Sequence, residues 1–115
     1  VHAEPVARRL RAYGLSAVAV RPFTLEGIQE ELANGRPVIV WVVGPVWPGS
    51  GGVSYTAPST GNTSQVAYFE HTVLVIGYGP DYLTFLDGEM IYWRTPQTFL
   101  SSWAAMNNMA VIIKP

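Results

Sequence analysis

At 115 residues, 49% of them hydrophobic, the chain has the length of one domain and enough apolar side chains for one modest core, which excludes a disordered chain. Charged residues make up 13% and the formal net charge is -1, so the strong field that nucleic acid, an anionic membrane or an acidic substrate would call for is absent. There is no cysteine, hence no disulfide scaffold, no thiolate metal site and no thiol nucleophile within these residues. His2 and His71 stand apart, without a His-x3-His spacing or a carboxylate cluster, so neither a metal site nor a cofactor is expected. No apolar run approaches the roughly 20 residues of a membrane span, and no secretory leader pattern is present. The first residue is Val1 rather than Met, which leaves room for an upstream segment.

From Ala3 to Tyr13 the spacing predicts a helix: Pro5 suits its first turn, and Val6, Leu10 and Tyr13 share a face opposite Arg8, Arg9 and Arg11. Those arginines read as a solvated helix face. Gly14 ends the helix, and residues 16–21 read as a short strand before Pro22. Thr24 caps a second helix whose Leu25, Ile28 and Leu32 form one face, with Phe23 placed to staple onto Ile28. The Glu of a capping box is missing, because Gly27 holds that position. Asn34-Gly35 and then Pro37 stop the helix.

Val38 to Val43 is an uninterrupted apolar run, expected to be a central strand buried on both faces. Residues 44–66 turn to Gly, Pro, Ser and Thr and read as one long surface loop, a length more often functional than decorative. Trp47, Tyr55 and Tyr68 are candidates to line a substrate groove there, or else to pin the loop to the core. Residues 71–78 and 82–87 then predict a β-hairpin, with a turn at Gly79-Pro80-Asp81. Glu89 to Arg94 resumes extended structure after Gly88. Thr95 caps and Pro96 opens a last helix with Phe99, Leu100 and Trp103 on one face, and residues 109–113 close as a strand. This order predicts a single α+β domain with a mainly antiparallel sheet and flanking helices.

His71 begins one hairpin strand and Asp87 ends the other, so both lie at the same end of the sheet. With a three-residue turn at 79–81, opposite positions put His71 across from Glu89 and diagonal to Asp87 on the same face, within reach of a His–carboxylate hydrogen bond. A two-residue turn would shift the register and send Asp87 to the other face. A carboxylate bonded to an imidazole fixes its tautomer and stabilises the imidazolium, which lets the histidine act as base toward a thiol or hydroxyl. The same pair also occurs as an ordinary structural contact. Ser101, Ser102 and the serines of the 44–66 stretch carry no nucleophile-elbow pattern and read as solvated.

The segments Gly35-Arg36-Pro37-Val38-Ile39-Val40-Trp41-Val42, Glu70-His71-Thr72-Val73-Leu74-Val75-Ile76-Gly77-Tyr78, Phe85-Leu86-Asp87-Gly88 and Phe99-Leu100-Ser101-Ser102-Trp103, with Ala12-Tyr13-Gly14-Leu15 upstream, resemble the papain-like cysteine peptidases related to the bacteriocin-processing double-glycine peptidases. The resemblance covers nearly the whole chain. It implies a papain-like fold and a Cys–His–Asp site for peptide-bond hydrolysis, with His71 as general base and Asp87 as its orienting acid. It also implies a bacterial, extracytoplasmic protein. Two departures stand out: the family's nucleophile helix and Gln-type oxyanion donor precede everything present here, and Phe69-Glu70 stands where small residues commonly precede the histidine.

The chain is therefore expected to be the C-terminal portion of such a peptidase domain, inactive alone, acting on a peptide or protein. Two other readings stay open. A scaffold without a nucleophile could bind peptides beneath the 44–66 stretch, and the face left bare by the missing helix could be covered by an N-terminal segment or by a second copy of the chain.

Overall fold

The computed structural model describes residues 2–48 and 70–115, and the backbone of 53–56 and 63–66. The elements run α1 (Ala3–Ala12), β1 (Ala17–Val20), α2 (Leu25–Ala33), β2 (Val38–Val43), β3 (Val53–Thr56), β4 (Thr63–Val66), β5 (Glu70–Gly79), β6 (Tyr82–Asp87), β7 (Met90–Arg94), α3 (Pro96–Ala104) and β8 (Ala110–Ile113). The main sheet has six strands in the order β1-β8-β2-β5-β6-β7, and every neighbouring pair is antiparallel. The expected α+β architecture with an antiparallel sheet is thus present.

The sheet separates two cores. On one face Val38, Val40 and Val42 of β2, Val73 and Val75 of β5, and Leu83 and Phe85 of β6 pack against Ile28 of α2 and Phe99 and Trp103 of α3. On the other, Trp41 and Val43 of β2 and Val111 of β8 meet Ala3 and Ala7 of α1 together with Met106 and Met109. Alternation along β2 feeds both cores, which is why its sequence is continuously apolar.

Local signals act as the sequence suggests at several ends. Thr24 Oγ1 accepts from Gly27 N–H at 2.9 Å, and Thr95 Oγ1 accepts from Thr98 N–H at 3.3 Å. Gly35 takes φ +77° while Arg36 N–H bonds Glu31 O at 2.9 Å, closing the turn after α2. Gly27 has a positive reason to be there: a Cβ would lie 2.5 Å from the Phe23 ring, so the ring occupies the space that a capping-box side chain would start from.

Four expectations need correction. The 44–66 stretch is not one loop, because β3 and β4 pair antiparallel within it; Val53, Tyr55, Thr56, Thr63 and Val66 are strong strand formers that the surrounding Gly and Pro obscure. In α1 the small Ala3 and Ala7 are buried and Tyr13 is exposed, because the helix sits close against β1 and β8. In α3, Leu100 is 37% exposed and Ser102 is fully buried in its place, bonded to both backbone groups of Val43 (N–H at 2.9 Å, C=O at 3.4 Å). The buried stripe is therefore 99, 102, 103 and 106, the i, i+3, i+4, i+7 set. The hairpin turn is two residues, Pro80 and Asp81, since Gly79 pairs with Tyr82.

Candidate functional site

A two-residue turn by itself would have put Asp87 on the wrong face. The register is restored inside β5: Gly77 pairs with Thr84 but Val75 pairs with Phe85, so Ile76 is bulged out of the ladder. Beyond the bulge, Leu74 pairs with Leu86, which carries His71 and Asp87 onto one face as diagonal neighbours. On its other side β5 pairs with β2, placing Val42 opposite His71. His71 therefore shares a face with the larger core, just past the end of its apolar filling.

His71 Nε2 and Asp87 Oδ1 are 2.7 Å apart, with side-chain exposures of 43% and 17%. Tyr92 donates its hydroxyl to the second carboxylate oxygen, Asp87 Oδ2, at 2.8 Å. Burial pushes the Asp87 carboxyl up, but the hydrogen bonds from His71 and Tyr92, with the charge of the imidazolium, outweigh it and hold the group below its ordinary range. An ionised carboxylate can only accept, so Nε2 carries the ring proton and Nδ1 is left as the nitrogen with a lone pair. The arrangement can take a proton at Nδ1 and hold the resulting imidazolium against Asp87.

The Tyr92 hydroxyl is pushed upward by burial first, and then by its bond to Asp87 and that group's charge, against a smaller pull from Arg94. It stays a donor. Arg94 lies 4.3 Å from the Tyr92 ring centroid and donates to Pro45 O at 2.9 Å and Val46 O at 3.3 Å. Neither Tyr92 nor Arg94 stands out in the sequence. The available signal is Asp87-Gly88-Glu89: a two-residue turn with Gly88 at φ +60° pairs Asp87 with Met90 and makes Tyr92 the other diagonal neighbour of Asp87.

Glu70 is partly buried and lies 3.3 Å from His2 Nε2. Of the candidate groove residues, Trp47 is about half exposed, and its ring lies where a Cβ on Gly44 would be. The side chain of Tyr55, on β3, and the whole of Tyr68 lie outside the described residues. Among the described residues no group of three His, Asp or Glu side chains could hold a metal ion, and no helix is long and apolar enough to cross a membrane.

No known family's sequence pattern matches the chain, and no curated protein does. A solved structure does: the crystal structure described as a "putative C39-like peptidase from Bacillus anthracis" superposes with a TM-score of 0.85 at 18% identity. The match covers all of this chain and 60% of that one. At this identity the likeness is one of fold, and the chain spans about three fifths of its neighbour's length.

Proposed function

We propose that this chain is the C-terminal, His- and Asp-bearing portion of a papain-like cysteine peptidase domain, inactive alone, whose thiol comes from a segment outside these 115 residues. The observation that carries the reading is the 2.7 Å contact between His71 Nε2 and Asp87 Oδ1 on a fold shared with a C39-like peptidase. His71 is the general base: Nδ1 takes the proton from the cysteine thiol, and the thiolate attacks the scissile carbonyl carbon. Asp87 stabilises the imidazolium until the proton passes to the leaving amine, after which water, activated at the same nitrogen, hydrolyses the thioester. Trp47, Tyr55 and Tyr68 are assigned to the groove that receives the peptide.

The test is His71→Ala in a longer form of the protein that carries the cysteine segment. Cleavage should fall by about 10⁴-fold or more with the far-UV circular dichroism unchanged. Unaltered cleavage would end the proposal, as would a 115-residue chain that hydrolyses peptides by itself.

A second reading is favoured by the bare half of the sheet, where Ile91 and Trp93 are 65% and 63% exposed on the face opposite His71. In that reading the domain binds a peptide or assembles with another copy and needs no thiol. Sedimentation across a concentration series decides the assembly part: a strict monomer removes it.

A further inference from the structure

A single hydrogen bond does not orient a carboxylate. The terminal torsion of aspartate is broad, so a group held only at Oδ1 can swing and present either oxygen, or neither, to the imidazole. In this chain the second oxygen is held as well, by the Tyr92 hydroxyl at 2.8 Å. The Tyr92 ring is held in turn, with the Phe85 ring centroid 5.9 Å away and the Arg94 guanidinium 4.3 Å from its own centroid. Arg94 is anchored by its bonds to the carbonyls of Pro45 and Val46, just after β2. Since Val42 of β2 lies directly opposite His71, these contacts close a ring: β2, the 45–46 carbonyls, Arg94, Tyr92, Asp87, His71, and back to β2.

We infer that Tyr92 and Arg94 are positioning residues for the His71–Asp87 pair, Tyr92 by fixing the carboxylate plane and Arg94 by fixing Tyr92 to the segment that leaves β2. The inference rests on the reading of His71 and Asp87 as a working pair. Two features fit it. Tyr92 keeps its proton, because burial and the neighbouring carboxylate both favour the neutral phenol, so it never competes with Asp87 as a negative charge toward the imidazolium. Arg94 offers a flat fork that bonds two carbonyls while stacking on a ring, which a lysine in its place cannot do.

The experiment uses the isotope-labelled 115-residue chain and needs no cleavage assay. The ¹³C signal of the Asp87 carboxyl and the ring ¹⁵N signals of His71 are followed through a pH titration for the parent, Tyr92→Phe and Arg94→Lys. The Phe variant keeps the ring and loses only the hydroxyl. In it the protonation midpoint of Asp87 should rise, and the His71 ring should pass from one dominant tautomer, with the proton on Nε2, to a mixture. Arg94→Lys should mix the tautomers in the same direction with a smaller movement of Asp87. A purely structural Tyr92 would leave both signals where they were, and a folded Tyr92→Phe chain with unmoved signals overturns the inference. Should Tyr92→Phe fail to fold, Arg94→Lys decides on the same two signals. If the signals move but His71→Ala leaves cleavage intact in the longer protein, the positioning stands and the peptidase reading falls.

Discussion

The β1-β8-β2 half of the sheet and its β6-β7 half are built from similarly apolar strands placed in different surroundings. In the first half both faces are covered, and Val40, Trp41 and Val42 of β2 have no exposed surface. In the second half one face packs Leu83 and Phe85 into the core while the other leaves Ile91 and Trp93 in solvent. The His71–Asp87 pair spans the two halves. His71 stands on β5, tied to the doubly covered β2, and Asp87 and Tyr92 stand on strands covered on one side. His71 is thus tied to the half covered on both faces, and the carboxylate that contacts it comes from the half with one apolar face in solvent.

Trp103→Ala tests the covered half and should have the largest effect. Its ring is fully buried, stacks on Phe99 at 5.0 Å between centroids, and donates from Nε1 to Met109 O at 2.9 Å. A loss of about 3–5 kcal/mol in urea denaturation is expected, a large part of what a domain of this size possesses. A loss below about 1 kcal/mol would mean that this half is not the stable one.

Asp87→Asn tests the junction. The folded-state carboxyl lies below its ordinary value, so its contribution is fully present above the ordinary carboxylate pKa and is lost as pH falls through the depressed one. With His71 nearly half exposed, solvent screening keeps the effect modest, at about 1 kcal/mol near neutral pH. The difference between parent and variant should vanish in acid. A difference that persists unchanged to low pH would assign the effect to packing instead.

Trp93→Thr tests the open half and should have the smallest effect on stability, within about 0.5 kcal/mol. If that face docks a partner copy, the variant should sediment as a monomer at concentrations where the parent associates. If parent and variant sediment alike, the tryptophan belongs to no self-interface.

Much of the scaffold is legible residue by residue. The β-branched run Val38–Val43 announces a strand buried on both faces, and Thr24 and Thr95 announce their helices by capping chemistry that acts over three residues. What escapes reading depends on contacts set elsewhere. Ser102 is buried where its hydroxyl meets both backbone groups of Val43 at the end of β2, a partner that nothing within α3 specifies. The proximity of His71 and Asp87 is legible from their common sheet end, although the assumed turn is one residue too long and a bulge supplies the correction. Tyr92 is harder to see, because its place beside Asp87 requires the length of a second turn, at Gly88–Glu89. The proposed role of the pair as base and orienting acid is not written in local sequence at all, since a base is defined by a nucleophile that these residues do not include.

The bulge at Ile76 means that the hairpin carries a spare residue, stored in the strand rather than in the turn. Remove Ile76 and Val75 and Gly77 become consecutive against Phe85 and Thr84, giving a regular ladder with every side chain on its present side. Move the surplus into the turn instead, as a three-residue loop, and the site end of the ladder is again unchanged. The distance from His71 to Asp87 along the chain can therefore drift by a residue among relatives without parting imidazole from carboxylate, so a gap in this hairpin would be no sign that the pair had been lost.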